Sequence, residues 1–345
     1  MGRADASVTT GTAYEALVLL YRHTQARHGL TALAEAWSGT AIPAELQPAA
    51  DRFFGGDIAL GMNVIPFAQA HGLHSLAELI AGLGRTPPVV LAQAMLRSPD
   101  ATPAEHGRRE DEVARVLAGR ARPRRLLGEL AGERFDTAAA ESLLADPAGA
   151  AAGFTALLDG YRQVISGHDL LAPQLAAAGT AQALLDALPL DDVARQLFPP
   201  WRFAELDAFA KVVLIPSPAI APFLSARLTS GDTALLVYPV QPHDQTPLAD
   251  LAAALKALAH PQRLTILRMI TLAPITGHAL AGALGLTEAT VHHHTSLLRA
   301  AGLVTSTREA HRVYFTAAPD ALDDLFAAIH RTVHGAGASV PQLAR

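Results

Sequence analysis

Apolar residues recur at helical spacing through most of the N-terminal part of the chain. Tyr14, Leu17, Val18 and Tyr21 lie three or four residues apart, which places them on one face of an α-helix. Leucine-rich segments with similar spacing follow at 75–83, 111–119, 137–145, 154–165 and 180–187. Alanine is abundant there and β-branched residues are scarce, which favours helix. The pattern predicts a large, mostly helical domain over residues 12–240.

Two short segments interrupt this helical pattern. Residues 211–215 and 234–238 are β-branched or apolar and are bounded by Pro, Ser, Gly and Asp, as strands often are. We expect them to pair into a small sheet at the end of the helical domain. The proline-containing stretch 85–103 is interpreted as a loop and the start of a helix. The polar stretch 239–247, also with prolines, is the best candidate for an interdomain linker.

Short elements follow one another closely after the linker. Leucines at helical spacing predict two amphipathic helices, and the second begins at Pro261 because proline suits the first turn of a helix. A short third helix is expected to end at Gly285, since glycine readily adopts a left-handed backbone at a helix C-terminus. The predicted core positions of the three helices are Leu251, Leu255, Leu258, Leu264, Leu267, Ile270, Leu280 and Leu284.

The limits of the next helix are set by its flanking residues. Leu286 fills the preceding turn, Thr287 can cap a helix over residues 288–300, and Gly302 closes it. A helix, a tight glycine-containing turn and a second helix make the helix-turn-helix pattern. In that pattern the second helix enters the major groove of DNA.

Two strand-like runs complete the C-terminal pattern. Residues 303–304 and 313–315 flank a polar turn and predict a β-hairpin wing. A winged helix-turn-helix DNA-binding domain is therefore expected over residues 248–334, with a flexible tail at 335–345. The predicted fold class of the whole chain is mostly α with minor β: a large helical N-terminal domain plus a C-terminal winged helix-turn-helix.

Three separated blocks of the C-terminal domain carry a family resemblance. The blocks ALAHPQRLTILRMI, ALAGALGLTEATVHHHTSLLRAAGLV and REAHRVYFT closely resemble the ArsR family of bacterial winged-helix transcriptional regulators. The resemblance implies a homodimer that binds an imperfect palindrome in double-stranded DNA, and an effector that changes its DNA affinity. The chain departs from the family pattern at Thr295, where leucine is usual, at His260, where a better capping residue is usual, and in the glycine-free wing turn 309–311.

One face of the predicted recognition helix is expected to meet DNA. With Val291 and Leu298 facing the core, an advance of about 100° per residue turns the opposite face outward. Histidine, serine and threonine side chains can form hydrogen bonds with base edges or phosphates. The predicted contacts are Thr287, Glu288, Ala289, Thr290, His292, His293 and Ser296. The alternative is that these are solvated polar side chains.

Three arginines are predicted to contact DNA phosphates: Arg299 at the end of the recognition helix, and Arg308 and Arg312 in the wing. A solvated basic face is the alternative. For Arg263, a phosphate contact and packing within the domain both stay open. His294, at the family's characteristic histidine position, points to the core side, where we expect a structural hydrogen bond.

The last helix carries an apolar stripe. Leu322, Leu325, Phe326, Ile329 and Val333 share one helical face. This face could pack on its own domain, whereas the family resemblance implies a contact between two copies of the chain. We predict a dimer interface.

No metal site and no cofactor are predicted. The chain has no cysteine, which excludes thiolate ligands. The remaining sets of possible ligands are Asp323, His330 and His334 on the last helix, and His71, His74 and Glu78 in the helical domain. In both sets ordinary, partly exposed side chains are the favoured interpretation.

The helical domain shows no common catalytic motif. It lacks G-x-G-x-x-G, G-x-x-x-x-G-K-[ST], G-x-S-x-G and H-E-x-x-H, so we expect no enzymatic activity. Arg120, Arg122, Arg124 and Arg125 are interpreted as a solvated basic face, with a contact to DNA or an anionic ligand as the alternative. The aromatic residues expected in the core, or else in a ligand pocket, are Trp37, Phe198, Trp201 and Phe203. The segments AYEALVLLYRHTQ and SLAELIAGL resemble an uncharacterised N-terminal extension of some actinobacterial ArsR-like regulators.

The distribution of charge points to an anionic partner for the C-terminal domain. From Thr246 onward the chain has eight basic and six acidic residues and eight of its fifteen histidines, although its formal net charge is −5. Half of its residues are hydrophobic and no apolar run reaches about 18 residues, so we expect a soluble, cytoplasmic protein without a membrane partner.

These features predict a sequence-specific, DNA-binding transcriptional regulator, a repressor on the precedent of the family. It is expected to bind a palindromic operator as a homodimer and to respond to an unidentified effector, for which a small molecule is a candidate. The alternatives are a winged-helix scaffold for protein interactions and an enzyme fused to a DNA-binding module.

Overall fold

The computed structural model describes residues 5–28, 35–56, 58–98, 103–133, 135–197, 206, 209–220, 226–240, 248–309, 312–318 and 321–334. Over these residues the protein is mostly α-helical, with two small β-sheets. The predicted fold class, mostly α with minor β, is confirmed.

Helices dominate the N-terminal region, by which we mean residues 5–240. They are α1 Thr12–Arg27, α2 Gln47–Phe54, α3 Val64–Ala70, α4 Leu76–Leu83, α5 Pro88–Met95, α6 Pro103–Leu117, α7 Pro123–Gly132, α8 Thr137–Ala145, α9 Pro147–Ile165, α10 Ala172–Ala187 and α11 Leu190–Leu197, with a 3₁₀ helix at Glu35–Thr40. Side chains of Ser75, Asp136 and Asp146 accept hydrogen bonds from the first turns of α4, α8 and α9. Every leucine-rich segment named above overlaps one of these helices.

A four-stranded sheet accompanies these helices. Its strands are β1 Asp5–Val8, β2 Lys211–Ser217, β3 Ala226–Ser230 and β4 Thr233–Pro239, in the order β1-β2-β4-β3. β2 is parallel to both β1 and β4, and β3 is antiparallel to β4. The predicted pairing of the two apolar segments is confirmed in β2 and β4. The edge strands β1 and β3 were not predicted, because each has only four or five residues, of which two are apolar.

This sheet is buried on both faces. Val213 and Ile215 belong to a large core formed with residues of α1 to α9, whereas Val212 and Leu214 belong to a second core formed with α10 and α11. A strand covered on both faces needs apolar residues at successive positions. This accounts for the continuous apolar runs of β2 and β4.

α1 lies inside the large core, and it carries buried polar groups. Glu15 is fully buried, where its two carboxyl oxygens accept hydrogen bonds from the Ala219 N–H (2.6 Å) and from Gln174 Nε2 (3.1 Å). Burial raises the pKa of Glu15 to about 8. Gln174 also accepts a hydrogen bond from the Gly11 N–H (2.9 Å). These bonds join α1 to α10 and to the segment after β2.

The interpretation of residues 85–103 as a loop and the start of a helix missed a complete short helix in the middle of that stretch. α5 Pro88–Met95 lies there, and its Leu91, Ala92 and Met95 side chains are buried. Proline at the first position of a helix leaves no required hydrogen bond unmade, so this proline starts the helix instead of preventing it.

The C-terminal region, residues 248–334, contains the predicted succession of elements. It runs α12 Leu248–Leu258, α13 Pro261–Leu272, β5 Ile275–Thr276, α14 Gly277–Leu284, α15 Glu288–Ala300, β6 Val304–Glu309, β7 Arg312–Ala317 and α16 Ala321–His334. Residues between Leu251 and Ala328 form a third core, and β5, β7 and β6 form an antiparallel sheet. The division of the chain into domains at the boundaries given above stays a prediction.

Two leucines predicted in the core of this region are exposed. The exposed fractions of Leu255 and Leu264 are 42% and 52%. In α13 the buried apolar side chains are Ile266, Leu267 and Ile270, so the packed face is rotated away from Leu264. In α12 buried alanines take the corresponding positions.

Candidate nucleic-acid interface

A tight turn joins α14 to α15. Gly285 has a left-handed backbone with φ of 65°, and the Leu286 N–H donates to the Ala281 carbonyl (3.0 Å). Thr287 Oγ1 accepts from the Thr290 N–H (3.1 Å) and caps α15. The glycine turn, the capping residue and the limits of the recognition helix are all confirmed.

α15 is packed among several elements of its region. Val291 and Leu298 are fully buried, and α12, α13 and α14 all contact the helix. His294 Nε2 donates to Gln262 Oε1 (2.9 Å), so the structural hydrogen bond expected of His294 is confirmed. Burial, with a smaller effect of the nearby His260, lowers the pKa of His294.

The start of α13 settles the two possibilities left open for Arg263. The Arg263 guanidinium is buried and donates to the Ala257 carbonyl (2.5 Å) and the Lys256 carbonyl (2.8 Å), at the C-terminal end of α12. Burial lowers the pKa of Arg263. Packing within the region is therefore its role. His260 Nδ1 accepts from the Gln262 N–H (3.2 Å), so His260 does cap α13 in the structure.

Most of the predicted DNA-contacting residues of α15 are accessible to solvent. The exposed ones are Thr287, Glu288, Ala289 and His293, and the half-buried ones are Thr290, His292 and Arg299. They lie along the first turns and the outer side of the helix. This surface, from the cap at Thr287 to His293, is called the α15 outer face below.

Ser296 does not belong to the α15 outer face. Its exposed fraction is only 8%, so the prediction that it faces outward is wrong. A helical wheel assigns one packed side to a helix, whereas α15 is contacted by three other helices and by β6. Thr295, at the position where leucine is usual, is also buried and donates to the His292 carbonyl (3.0 Å).

A hydrogen bond on the surface joins the two helices of the motif. His278 Nδ1 at the start of α14 lies 2.7 Å from Glu288 Oε1 at the start of α15, and both side chains are exposed. This contact was not predicted from the sequence. The two residues are ten positions apart in different helices, so no periodicity in the sequence indicates it.

The wing is a two-stranded hairpin extended by β5. β6 and β7 pair in antiparallel register, with Glu309 opposite Arg312, and Phe315 is buried against the third core. The Arg312 side chain is exposed. Arg308 lies in β6, but its side chain is outside the described residues, as is the turn at 310–311.

The apolar stripe of α16 is divided between two environments. Leu325 is 1% exposed, whereas Phe326 is 57% exposed. Leu322 and Ile329 are partly buried against the third core, and α16 packs on α12. A dimer contact through Leu325 is therefore wrong, because this side chain is part of its own core. The side chain of Val333 lies outside the described residues.

The possible metal ligands named from the sequence have other surroundings. His74 Nδ1 lies 2.7 Å from the Tyr14 hydroxyl, and Glu78 forms a capping box with Ser75 at the start of α4. Within the described parts of the chain no three His, Cys, Asp or Glu side chains are arranged to hold a metal ion. The side chains of His330 and His334 are outside those parts.

The remaining predictions concern the aromatic residues of the N-terminal region and the expected absence of a membrane-spanning helix. Trp37 is half-buried against the large core, whereas Phe198, Trp201 and Phe203 lie outside the described residues. None of the described helices is long and apolar enough to span a bilayer.

Comparison with known proteins finds relatives for about a quarter of the chain. No family profile matches it. The nodulation protein NolR of Rhizobium meliloti is 33% identical over 91 residues, which are 26% of this chain and 73% of NolR. The HTH-type transcriptional regulator YgaV of Escherichia coli is 33% identical over 86 residues, which are 25% of this chain and 87% of YgaV. The HTH-type transcriptional regulator NmtR of Mycobacterium tuberculosis is 35% identical over 78 residues, which are 23% of this chain and 65% of NmtR.

Solved structures are similar over the same share of the chain. The crystal structure of NolR from Sinorhizobium fredii is 33% identical, covers 26% of this chain and 89% of that one, and has a TM-score of 0.21. The homodimeric winged helix-turn-helix DNA-binding domain of Mb0332 from Mycobacterium bovis, a possible ArsR-family regulator, is 28% identical. It covers 28% of this chain and 88% of that domain, with a TM-score of 0.22.

Proposed function

Because the chain belongs to the ArsR-like winged helix-turn-helix transcriptional regulators, we propose that its C-terminal region binds double-stranded DNA sequence-specifically and regulates transcription. The observation that carries this proposal is the geometry of α14 and α15. A left-handed Gly285 joins the two helices, and the first turn of α15 is exposed next to the start of α14. Repression is proposed as the direction of regulation, on the precedent of the family.

The α15 outer face supplies the groups for base recognition. The His293 imidazole and the Thr290 hydroxyl can form hydrogen bonds with base edges in the major groove, and the Ala289 methyl can contact a thymine methyl. Glu288 can accept a hydrogen bond from a cytosine amino group. Its Oε1 accepts a hydrogen bond from His278 Nδ1 (2.7 Å), which holds the side chain beside the start of α14.

The wing and the end of α15 supply positive charge for the DNA backbone. Arg312 is exposed on β7, Arg308 lies on the paired strand β6, and Arg299 lies in the last turn of α15. Arginine binds phosphate oxygens with two N–H groups at once, and the release of counterions favours such contacts without regard to base sequence.

We also propose that the regulator is a homodimer on a palindromic operator. An exposed phenylalanine, Phe326, lies on α16 beside the core residue Leu325. A two-fold axis next to α16 would bring this side chain against its copy in a second chain. Two recognition helices related by two-fold symmetry bind two half-sites of opposite orientation.

The N-terminal region is proposed to modulate DNA binding in response to an effector, without catalytic activity. Its helices and sheet form two cores of their own, distinct from the third core that packs the C-terminal region.

Capture of genomic DNA fragments by the purified full chain, at near-physiological salt, tests the proposal. We expect a limited set of promoter fragments that share a palindrome. His293→Ala should alter the base preference at one position of each half-site, at a cost of about 1–3 kcal/mol. Arg312→Gln should instead weaken all sites alike and reduce the salt slope by about one. The matched control is Arg268→Gln, which replaces an exposed arginine of α13.

One result would refute this function. If the bound fragments share no sequence and His293→Ala changes nothing, the α15 outer face does not recognise bases.

A further inference from the structure

The turn between α6 and α7 concentrates positive charge on an acidic part of the chain. Before Thr246 the sequence has 19 basic and 26 acidic residues. Within that part, four exposed arginines lie within six positions, here called the arginine turn: Arg120, Arg122, Arg124 and Arg125. Of these four, only Arg125 forms ion pairs within the described residues, with Glu112 and Glu129. The other three charges are unpaired there and repel one another.

The backbone of the arginine turn is held in place by its own hydrogen bonds. The Arg120 and Ala121 N–H groups both donate to the Arg115 carbonyl, at 2.8 and 3.2 Å. Gly119 has φ of 69°, which lets the chain leave α6 sharply, and Pro123 fixes the first residue of α7. A ligand that binds here therefore meets an ordered backbone and loses little binding energy to ordering it.

The start of α7 adds to this positive charge. Arg122 is the N-terminal flanking residue of α7 and makes no capping hydrogen bond through its side chain. In α8 and α9 the same position is held by Asp136 and Asp146, whose carboxylates satisfy N–H groups of the first turn. The N-terminus of a helix carries partial positive charge, so arginines there are unfavourable unless an anion is present.

The geometry points to the phosphate backbone of duplex DNA as that anion, and we propose that the arginine turn binds DNA that flanks the operator. This inference rests on the proposed function. The arginine turn is exposed, and a surface without enclosing walls suits a long polyanion better than a small anionic metabolite, which needs a concave site. Three arginines without ion pairs along a short turn suit successive phosphates, whose binding requires charge but no base recognition.

Duplex length separates this contact from the operator contact. Two duplexes carry the same operator, one of operator length and the other extended on both sides by several helical turns. We expect the wild-type chain to bind the longer duplex more tightly. The triple variant R120Q/R122Q/R124Q should lose about tenfold or more of its affinity for the long duplex, and its salt slope there should fall by about two to three. Its affinity for the short duplex should not change.

A matched variant controls for net charge. R27Q/R108Q/R162Q also removes three positive charges from the N-terminal region. Each of these arginines, however, is already paired with a carboxylate: Arg27 with Asp51, Arg108 with Glu105 and Arg162 with Asp159. We expect this variant to bind both duplexes like the wild type.

The possible outcomes are distinct. If the triple variant and the wild type bind the long duplex equally at every salt concentration, or if both triple variants lose affinity equally, the inference is overturned. If the wild type selects no operator at all, the proposed function fails and this inference fails with it. The inference is supported if R120Q/R122Q/R124Q still selects the operator sequence but no longer binds the long duplex more tightly than the short one. Circular dichroism melts of both variants verify that exposed substitutions leave the fold intact.

Discussion

His23 and His106 place imidazole rings inside the N-terminal region. His23 Nε2 lies 2.8 Å from Thr40 Oγ1, and His106 Nε2 lies 2.5 Å from Thr229 Oγ1. Burial lowers the pKa of each histidine from 6.5 to about 4, and the charges of Arg22 and Arg97 lower it further for His23 and His106 respectively. Between about pH 4 and 6.5 the unfolded chain therefore binds more protons than the folded chain.

This difference predicts a loss of stability in acid. The contribution of each histidine is complete above about pH 6.5 and disappears as the pH falls toward 4, by roughly 3 kcal/mol per residue. Urea unfolding at pH 7 and pH 4.5 measures the loss. His106→Gln should reduce this loss of stability. Equal pH dependence in the wild type and in His106→Gln would contradict the assignment.

Arg263 illustrates a charged residue with a structural role. Arg263→Met removes the donors to the Lys256 and Ala257 carbonyls, and we expect the free energy of unfolding to fall by about 2–3 kcal/mol. Arg268→Met, at an exposed position on the same helix, should cost less than about 0.5 kcal/mol. Urea unfolding measures both. A variant of Arg263 with normal stability and weakened DNA binding would instead favour a phosphate contact.

At the scale of the element, the turn of the helix-turn-helix depends on backbone conformation and not on packing. Apart from its chain neighbours and, within α14, the backbone of the helix itself, no described atom lies within 4 Å of a Cβ added at either Gly282 or Gly285. Gly282 lies within α14, whereas Gly285 ends it with φ of 65°. Alanine at Gly282 therefore tests helix propensity, whereas alanine at Gly285 tests the strain of a left-handed backbone conformation.

We expect opposite effects of alanine at the two glycines. Gly285→Ala should destabilise the C-terminal region by about 1–2 kcal/mol, because a Cβ disfavours the left-handed conformation. Gly282→Ala should stabilise it by up to about 1 kcal/mol, because alanine is the better helix former. Chemical unfolding of the two variants gives both numbers. Equal effects of the same sign would show that the turn tolerates another conformation.

For the whole molecule, α16 is the element proposed to join two chains. Phe326→Glu should place a charge in the interface and convert the dimer to a monomer, which sedimentation equilibrium detects. Operator affinity should then fall by about 100-fold or more, because two linked half-site contacts become one. Leu272→Glu, at a side chain of α13 that is 83% exposed, is the control. A Phe326→Glu variant that stays dimeric would place the interface elsewhere.

The sequence by itself determined those features that depend on neighbouring residues. Gly285, Thr287 and Pro261 act on the backbone within a few positions of themselves, and the helix limits that they predict match the structure. The fold class followed from periodicity, which is also local. The apolar runs of β2 and β4 were recognised as strands for the same reason.

The tertiary structure alone decided which side of each element is covered. Ser296 is buried because several elements surround α15, and Leu325 is buried because α16 packs on the third core, while Leu264 is exposed because the packed face of α13 is rotated. The pairing of His278 with Glu288 depends on the angle between two helices. Periodicity describes an isolated helix, whereas burial depends on how many neighbours pack around it and from which directions. Those directions are set by the assembly of the whole core, so no local pattern contains them.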